Sequence, residues 1–432
     1  MELTIQRLRA LEILDSRGNP TLSVTAELAG GFSAEAQVPS GASTGRHEAL
    51  ELRDGDAARY AGKGVRRAAA NVEKELSPAL SGCRAEDHQA LDRRMIELDS
   101  TPGKTRLGAN AILGVSCAVA RAVASARRLP LWRSLAETFG SAEPSLPLPM
   151  INILSGGLHA GRNLEFQDFL IVPHGFASLA EALEATVAVH RGARELIESS
   201  GYLLTGVADE GGWGPKLESN EQALALLTRA IESAGFAPGR QISIALDVAA
   251  SHFYKEGCYH LPSESRVLTS AGMADLIEDW AGRYPIVSVE DSLEEDDWEG
   301  WRTLTGRLGA RLQLVGDDFF VTNPERLERG IREGAGNAVL VKMNQIGTLS
   351  ETFQVVRRAA EAGYLAVVSA RSGETEDSFL ADLAAASGAG QIKIGSITRS
   401  ERLAKYNRLL AIETREDLAW RGAGPLSRFI SR

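Results

Sequence analysis

Seven short apolar segments recur along the last two-thirds of the chain: DFLIVP, ISIALDVAA, PIVSVED, LQLVGDDFF, NAVLVKMNQ, LAVVSARS and QIKIGS. Each has the length and the Val, Ile and Leu content of a strand buried on both faces, and longer stretches of helix-forming composition separate them. Several carry a polar group at or just past the C-terminal end: Asp247, Glu290, Asp317, Lys342, Ser369 with Arg371, and Lys393. The spacing fits one polar projection per strand and helix, with the Arg371 strand dividing the last interval. If such a sheet closes into a (β/α)8 barrel, these residues converge at one mouth. An open doubly wound sheet is the competing architecture. No G-x-G-x-x-G follows an early strand, however, and no G-x-x-x-x-G-K-[ST] loop occurs, so the barrel is the expected fold.

A chain of 432 residues is too long for one compact core. Its first part reads differently from the rest. LTIQRLRALEIL and TLSVTAELA are strand-like and joined by the turn-rich DSRGNP, and FSAEAQVPS follows as a third strand. GVRRAAANVEKELSPAL and LGANAILGVSCAVARAVASARR then have helical composition, the second rich in small apolar residues and so expected to be mostly buried. This makes an N-terminal α+β domain over residues 1–140. The prolines Pro144, Pro147 and Pro149 are read as a linker, and the barrel domain occupies residues 141–432.

A net charge of −10 disfavours nonspecific attraction to nucleic acid or anionic lipid, so neither is expected as a partner. The N-terminus has no signal-peptide core, and Arg121 interrupts the longest apolar run, so no membrane segment is expected. Cys83, Cys117 and Cys258 are scattered without metal-like spacing, and their odd number argues against a disulfide framework; a reducing cytoplasm fits.

Three carboxylates, Asp247, Glu290 and Asp317, arrive on successive strands and offer hard oxygen ligands of the kind Mg²⁺ takes. Lys342 and Lys393 would face that metal, where desolvation and a nearby cation can depress an ammonium toward use as a base. Lysine opposite a metal-bound carboxylate substrate points to abstraction of the proton α to the carboxylate. Glu294 to Asp297 in EEDDWEGW read instead as a helix start, since acids favour an N-terminal turn. Asp318 is read as structural, and His174 and His260 receive no function.

With these residues in place, SGASTGRHEALELRDGD, SGGLHAGRNLEFQDF, VADEGGWGPKL, ALDVAAS, SVEDSLEEDDWEGW, VGDDFFVTNPERL, LVKMNQIGTLSET, RSGETED and RSERLAKYNRLL closely resemble the enolase family, in order and across nearly the whole chain. The resemblance implies an α/β fold, an N-terminal α+β domain packed on an enolase-type modified (β/α)8 barrel, and a homodimer or higher homo-oligomer. It also implies two Mg²⁺ per active site and dehydration of 2-phosphoglycerate to phosphoenolpyruvate, a hydro-lyase reaction. Position by position, Asp247, Glu290 and Asp317 resemble ligands of the first metal, and Ser43 a ligand of the second. Lys342 resembles the base, Lys393 the lysine holding the substrate carboxylate, and Glu210 the acid that protonates the departing hydroxide. His159 belongs to a mobile active-site loop, Arg371 and Ser372 resemble phosphate-binding residues, and Gln167 falls among the substrate-binding residues.

The chain departs from that pattern in the pocket itself. Ala370 stands where the family has histidine, and Asp168 in FQDF where it has glutamate, which shortens the acid by about 1.5 Å. A displacement near 1 Å can cost on the order of 100-fold in rate, and losing a donor to a charged phosphate removes roughly 1.5–3 kcal/mol. Ser155, Ala208 and Ile394 replace asparagine, glycine and threonine nearby. Three readings follow: a housekeeping enolase carrying neutral changes, a weakly catalytic binding or scaffold protein, or an enolase-type enzyme for a small anionic substrate with an altered phosphorus head group. The third is preferred, because Ala370 makes room beside Arg371 while the lysines and metal ligands are kept. Within the family this resembles the carboxyphosphonoenolpyruvate synthases, which act on 2-phosphonoformylglycerate. The K-x-K motif of racemase and cycloisomerase relatives is not found.

Overall fold

A computed structural model describes residues 2–41, 45–141, 143–416 and 418–430. Its N-terminal sheet is an antiparallel meander of β1 (Ile5–Leu14), β2 (Pro20–Leu28) and β3 (Ser33–Gln37). The helix Ala109–Arg127 lies across β2 and β3, its middle wholly buried, and Gly114 is what lets it sit so close. A Cβ at Gly114 would come within 2.5 Å of Val24 Cγ2 and 3.3 Å of Val38 Cγ2. This helix is long and apolar enough to cross a membrane, but here its apolar surface is spent on the core.

The remaining chain forms a closed eight-strand barrel, in ring order β10, β11, β12, β13, β14, β4, β5, β6. The strands are β4 (Leu148–Ser155), β5 (Asp168–Pro173), β6 (Ile242–Asp247), β10 (Ile286–Glu290), β11 (Gln313–Gly316), β12 (Ala338–Val341), β13 (Leu365–Ser369) and β14 (Gln391–Gly395). A small antiparallel sheet follows β6: β7 (Tyr254–Lys255), β8 (Cys258–Leu261) and β9 (Arg266–Leu268). All seven expected barrel strands are present, and the closed ring excludes the open sheet.

Two features correct the sequence reading. Pro149 is not in a linker but inside β4, opposite Ile392 of β14. Leu148 donates to Gly390 on the β14 side, so the Pro149 nitrogen faces β5, where pairing begins only at Ile151. A missing N–H there costs nothing. Second, β5 runs antiparallel to both β4 and β6, so the barrel does not open with a regular strand–helix unit. Its N-terminal residues therefore lie level with the C-terminal ends of the other strands, and Asp168 sits opposite Asp247.

Side-chain alternation then fixes what points inward. Met150, Leu170, Ala245, Val315, Leu340 and Val367 fill the lower barrel, with Leu426 and Phe429 packed against them. Two residues further up each strand come Asn152, Asp247, Asp317, Lys342 and Ser369. On the reversed β5 the same step leads back from Leu170 to Asp168. One period-two rule thus places an apolar plug below and a polar ring above it.

Candidate active site

At the upper mouth, a tight cavity of about 20 Å³ is walled by His159, Gln167, Glu210, Asp247, Lys342 and Lys393, and by the run Ser369, Ala370, Arg371 and Ser372 with Ile394. All the sequence-assigned site residues among the described ones lie at this cavity or touch its wall; Ser43 lies outside the described residues.

Lys393 Nζ lies between two of the candidate metal ligands, donating to Asp247 Oδ2 at 2.8 Å and Glu290 Oε2 at 2.7 Å. Gln167 Nε2 also donates to Asp247 Oδ2, at 3.2 Å. Lys342 pairs with Asp317 Oδ2, while Gln345 Nε2 donates to Asp317 Oδ1 at 2.9 Å. Burial, reinforced by Asp247, pushes the Glu290 carboxyl well above the usual range. Burial also acts to raise Asp247 and Asp317, but Lys393 and Lys342 respectively outweigh it and hold both down. Glu290 Oε1 is fully buried and has no hydrogen-bond partner among the described residues. A buried carboxylate oxygen left without a donor, beside two further carboxylates, is a donor set that fits a hard divalent cation.

A second group gathers opposite. His159, from the short turn Gly157–Ala160, donates from Nδ1 to Asp168 Oδ2 at 2.8 Å, and its Nε2 lies 3.8 Å from Glu210 Oε1. Ser155 Oγ donates to Asp168 Oδ1 at 3.0 Å, and Asn152 Nδ2 donates to the same oxygen. Burial alone would pull the His159 imidazole down, but Asp168 and Glu210 push it up to about 9. Burial raises the Asp168 carboxyl against the pull of His159.

The anion grip is already engaged. Arg371 Nη1 and Nη2 donate to the two oxygens of Glu48 at 3.0 and 3.2 Å, and Asn344 Oδ1 accepts from Nη1 at 3.2 Å. Ser372 Oγ accepts from Arg17 Nη1 at 3.2 Å. Arg402 fixes the turn from beneath, donating to the carbonyls of Arg371 and Ser372, each at 2.6 Å. Ala370, 6% exposed, donates its N–H to the Lys393 carbonyl at 2.9 Å and lines the cavity beside Arg371.

Glu48, Asn152, Gln345, Arg17 and Arg402 were not singled out from the sequence. Glu48, Gln345 and Arg402 had a signal, their places in SGASTGRHEALELRDGD, LVKMNQIGTLSET and RSERLAKYNRLL, while Asn152 and Arg17 had none. Asp297 caps the helix Trp298–Leu308 by accepting from Gly300 N–H, as its acidic run led one to expect. The rest of that run has another partner: Arg46 Nε donates to Glu295 Oε1 at 2.5 Å, and its guanidinium also reaches Glu294 and Asp296, tying the segment after residue 44 to the barrel mouth. Asp318 is held by its own N–H donating to Asp291 at 2.8 Å.

Comparison with known families agrees with this architecture. The model described as "Enolase, N-terminal domain" matches residues 5–135, and that described as "Enolase, C-terminal TIM barrel domain" matches residues 143–423.

Proposed function

This chain belongs to the enolase family, whose barrel supports Mg²⁺-dependent dehydration by a lyase, and on that premise we propose that its substrate is a 2-phosphoglycerate-like acid with an enlarged phosphorus head group. The example we favour is 2-phosphonoformylglycerate, dehydrated to carboxyphosphonoenolpyruvate. The observation that carries the reading is Ala370, a small residue in the cavity lining next to Arg371 and Ser372, where a larger residue would leave less room for that head group.

Asp247, Glu290 and Asp317 would hold the metal, and bound Mg²⁺ would draw charge from the substrate carboxylate and so acidify the adjacent C–H bond. Lys393 positions that carboxylate. Lys342 takes the α-proton; in this state Asp317 overcomes burial and raises the Lys342 ammonium, so the pairing must loosen before Nζ acts as a base. The proton that lets the β-hydroxide leave as water comes from the cluster of His159, Glu210 and Asp168. Arg371 and Ser372 receive the phosphorus group, with the Glu48 carboxylate yielding its place on the guanidinium to the incoming anion.

The test is turnover of 2-phosphoglycerate against the phosphonoformyl analogue, with Mg²⁺. A clear preference for the analogue is expected; equal or better turnover of 2-phosphoglycerate would return the protein to ordinary enolase activity. Substituting Lys342 by Met should abolish exchange of the substrate's α-hydrogen with solvent, by at least 1,000-fold on the scale of a lost catalytic group. Persistent exchange would remove Lys342 from the role of base.

A further inference from the structure

A second hollow, of about 230 Å³, lies between the turn that carries His159 and the small β7–β9 sheet. Leu158, Leu164, Phe253 and Pro262 give it an apolar lining. The other side chains around it are basic: Arg162, His252, Lys255 and His260. Among the described residues, none of these four side chains has a hydrogen-bond or ion-pair partner. The acid in the lining, Glu165, is committed elsewhere, Oε1 accepting from the Ser263 N–H at 3.0 Å and Oε2 from Asn220 Nδ2 at 2.8 Å. In a chain of net charge −10, unpaired basic groups gathered around an apolar hollow are complementary to an anion with an apolar body. The hollow also shares a wall with the active site. In the turn Gly157–Ala160, Gly157 and Leu158 line the hollow, while His159 lines the catalytic cavity. The Arg162 N–H donates to the Gly157 carbonyl at 2.6 Å, and the Asp209 N–H donates to the His159 carbonyl at 3.2 Å, so a pull on the Arg162 side chain is passed to the turn and its histidine.

We propose that this hollow is a second ligand site, for a small organic acid with an apolar body, and that its occupant is felt at His159 through the shared turn. The volume lies below the roughly 300–1,000 Å³ of sites for drug-sized ligands, so the occupant is small, an aryl or branched-alkyl carboxylate. Arg162 and Lys255 supply the charge that holds the carboxylate. Burial keeps the His252 imidazole below its usual range, so at neutral pH it serves as a hydrogen-bonding group rather than a cation. Leu158, Leu164 and Phe253 cover the body of the ligand. A bare inorganic anion would meet the same cations but would lose water against an apolar lining that returns it nothing, which is why the occupant is an organic acid. The site is distinct from the anion grip, since Arg371 and Ser372 line the catalytic cavity and take no part in the hollow. Neither half of the proposal depends on which phosphorus head group the catalytic cavity accepts.

Calorimetric titration of the Mg²⁺-loaded protein with 3-phenylpropionate tests the site. Two controls divide the ligand: 3-phenylpropan-1-ol keeps the ring without the charge, and inorganic phosphate keeps a charge without the ring. Saturable binding of 3-phenylpropionate is expected, at least about 10-fold tighter than that of the alcohol. Arg162→Gln and Lys255→Gln should each weaken it by about 10-fold, and the double variant by about 100-fold, as the loss of one and then two charged hydrogen bonds does. Both positions are exposed and outside the catalytic cavity, so these variants should fold as the wild type does. Arg371→Gln, which weakens the catalytic anion grip instead, should bind 3-phenylpropionate like the wild type. The turn is read by NMR: the His159 imidazole signal, identified by its loss in His159→Gln, should shift when 3-phenylpropionate is added to the wild type and stay in place in the Arg162→Gln, Lys255→Gln double variant. No saturable binding, or equal binding by the wild type and the double variant, would overturn the site. A loss in Arg371→Gln as large as in the double variant would put the acid in the catalytic cavity and overturn it too. Inorganic phosphate held as tightly by Arg162 and Lys255 would overturn the choice of an organic acid, and binding that leaves the His159 signal unmoved would overturn the link through the turn.

Discussion

The Ala370 methyl and the Arg371 guanidinium occupy adjacent positions where β13 opens into the cavity, so a single change there should move specificity and little else. Ala370→His would return a donor worth roughly 1.5–3 kcal/mol to a phosphate bound at Arg371, which corresponds to about 10- to 100-fold in kcat/KM for 2-phosphoglycerate. The same imidazole would fill the space beside the guanidinium, and turnover of the phosphonoformyl analogue should fall. A variant that gains nothing on 2-phosphoglycerate would show that Ala370 does not set head-group choice. These neighbours were legible in the sequence because they are consecutive and sit at a strand end. Glu48 was not, because its partner Arg371 lies 323 residues further along the chain, and nothing in GRHEALE says which cation the acid will meet. Asp168 was legible as a departure, but its three hydrogen-bond donors come together only when β4 and β5 pair.

Strands and helices were read more surely where one rule of periodicity decided them. The seven apolar runs became barrel strands because each is buried on both faces, as strands in a closed barrel must be. β4 escaped notice because two prolines precede or enter it, and only its neighbours' pairing shows why the Pro149 nitrogen needs no partner. The reversal of β5 was equally hidden: alternation in DFLIVP is the same in either direction, so the strand's sense depends on the connection rather than on the strand. The helix Ala109–Arg127 was expected to be buried, and its close seat on the sheet depends on Gly114. Gly114→Val would force side-chain atoms against Val24 and Val38, neither of which can swing away as a long chain could. Overpacking of this kind costs about 1–3 kcal/mol. A chemical-denaturation midpoint that falls by a corresponding amount, with kcat unchanged in the folded fraction, is the expected result; an unchanged midpoint would mean that the helix can lift from β2 and β3 at no cost.

Over the whole molecule, polar contacts join the two domains: Glu48 on Arg371 at the site, Arg46 on the acidic run, and, elsewhere, Lys104 Nζ on Glu351 at 2.9 Å with Lys104 almost wholly buried. The fold therefore carries many ionisable groups inside, and its response to acid should be set by those that must stay neutral. His190 is one such group, removed from the candidate metal ligands. It is 6% exposed, stacked on Trp213 with ring centroids 4.5 Å apart, and its Nε2 faces the Gly211 carbonyl at 3.4 Å. Burial lowers its pKa to about 4, against about 6.5 in an unfolded chain. Between these values the unfolded state binds the proton and the folded state does not, so stability rises with pH. The His190 contribution is complete above about pH 6.5 and is lost as the pH falls toward 4, amounting to about 2 kcal/mol between pH 7.5 and pH 5. His190→Gln should lower stability at neutral pH by weakening the stack on Trp213, yet lose about 2 kcal/mol less than the wild type over that pH interval. Urea unfolding of both proteins at pH 7.5 and pH 5 reads the difference directly. Parallel losses in the two proteins would place the acid sensitivity elsewhere in the interior, with buried His174, also lowered to about 4 by burial, the next residue to replace.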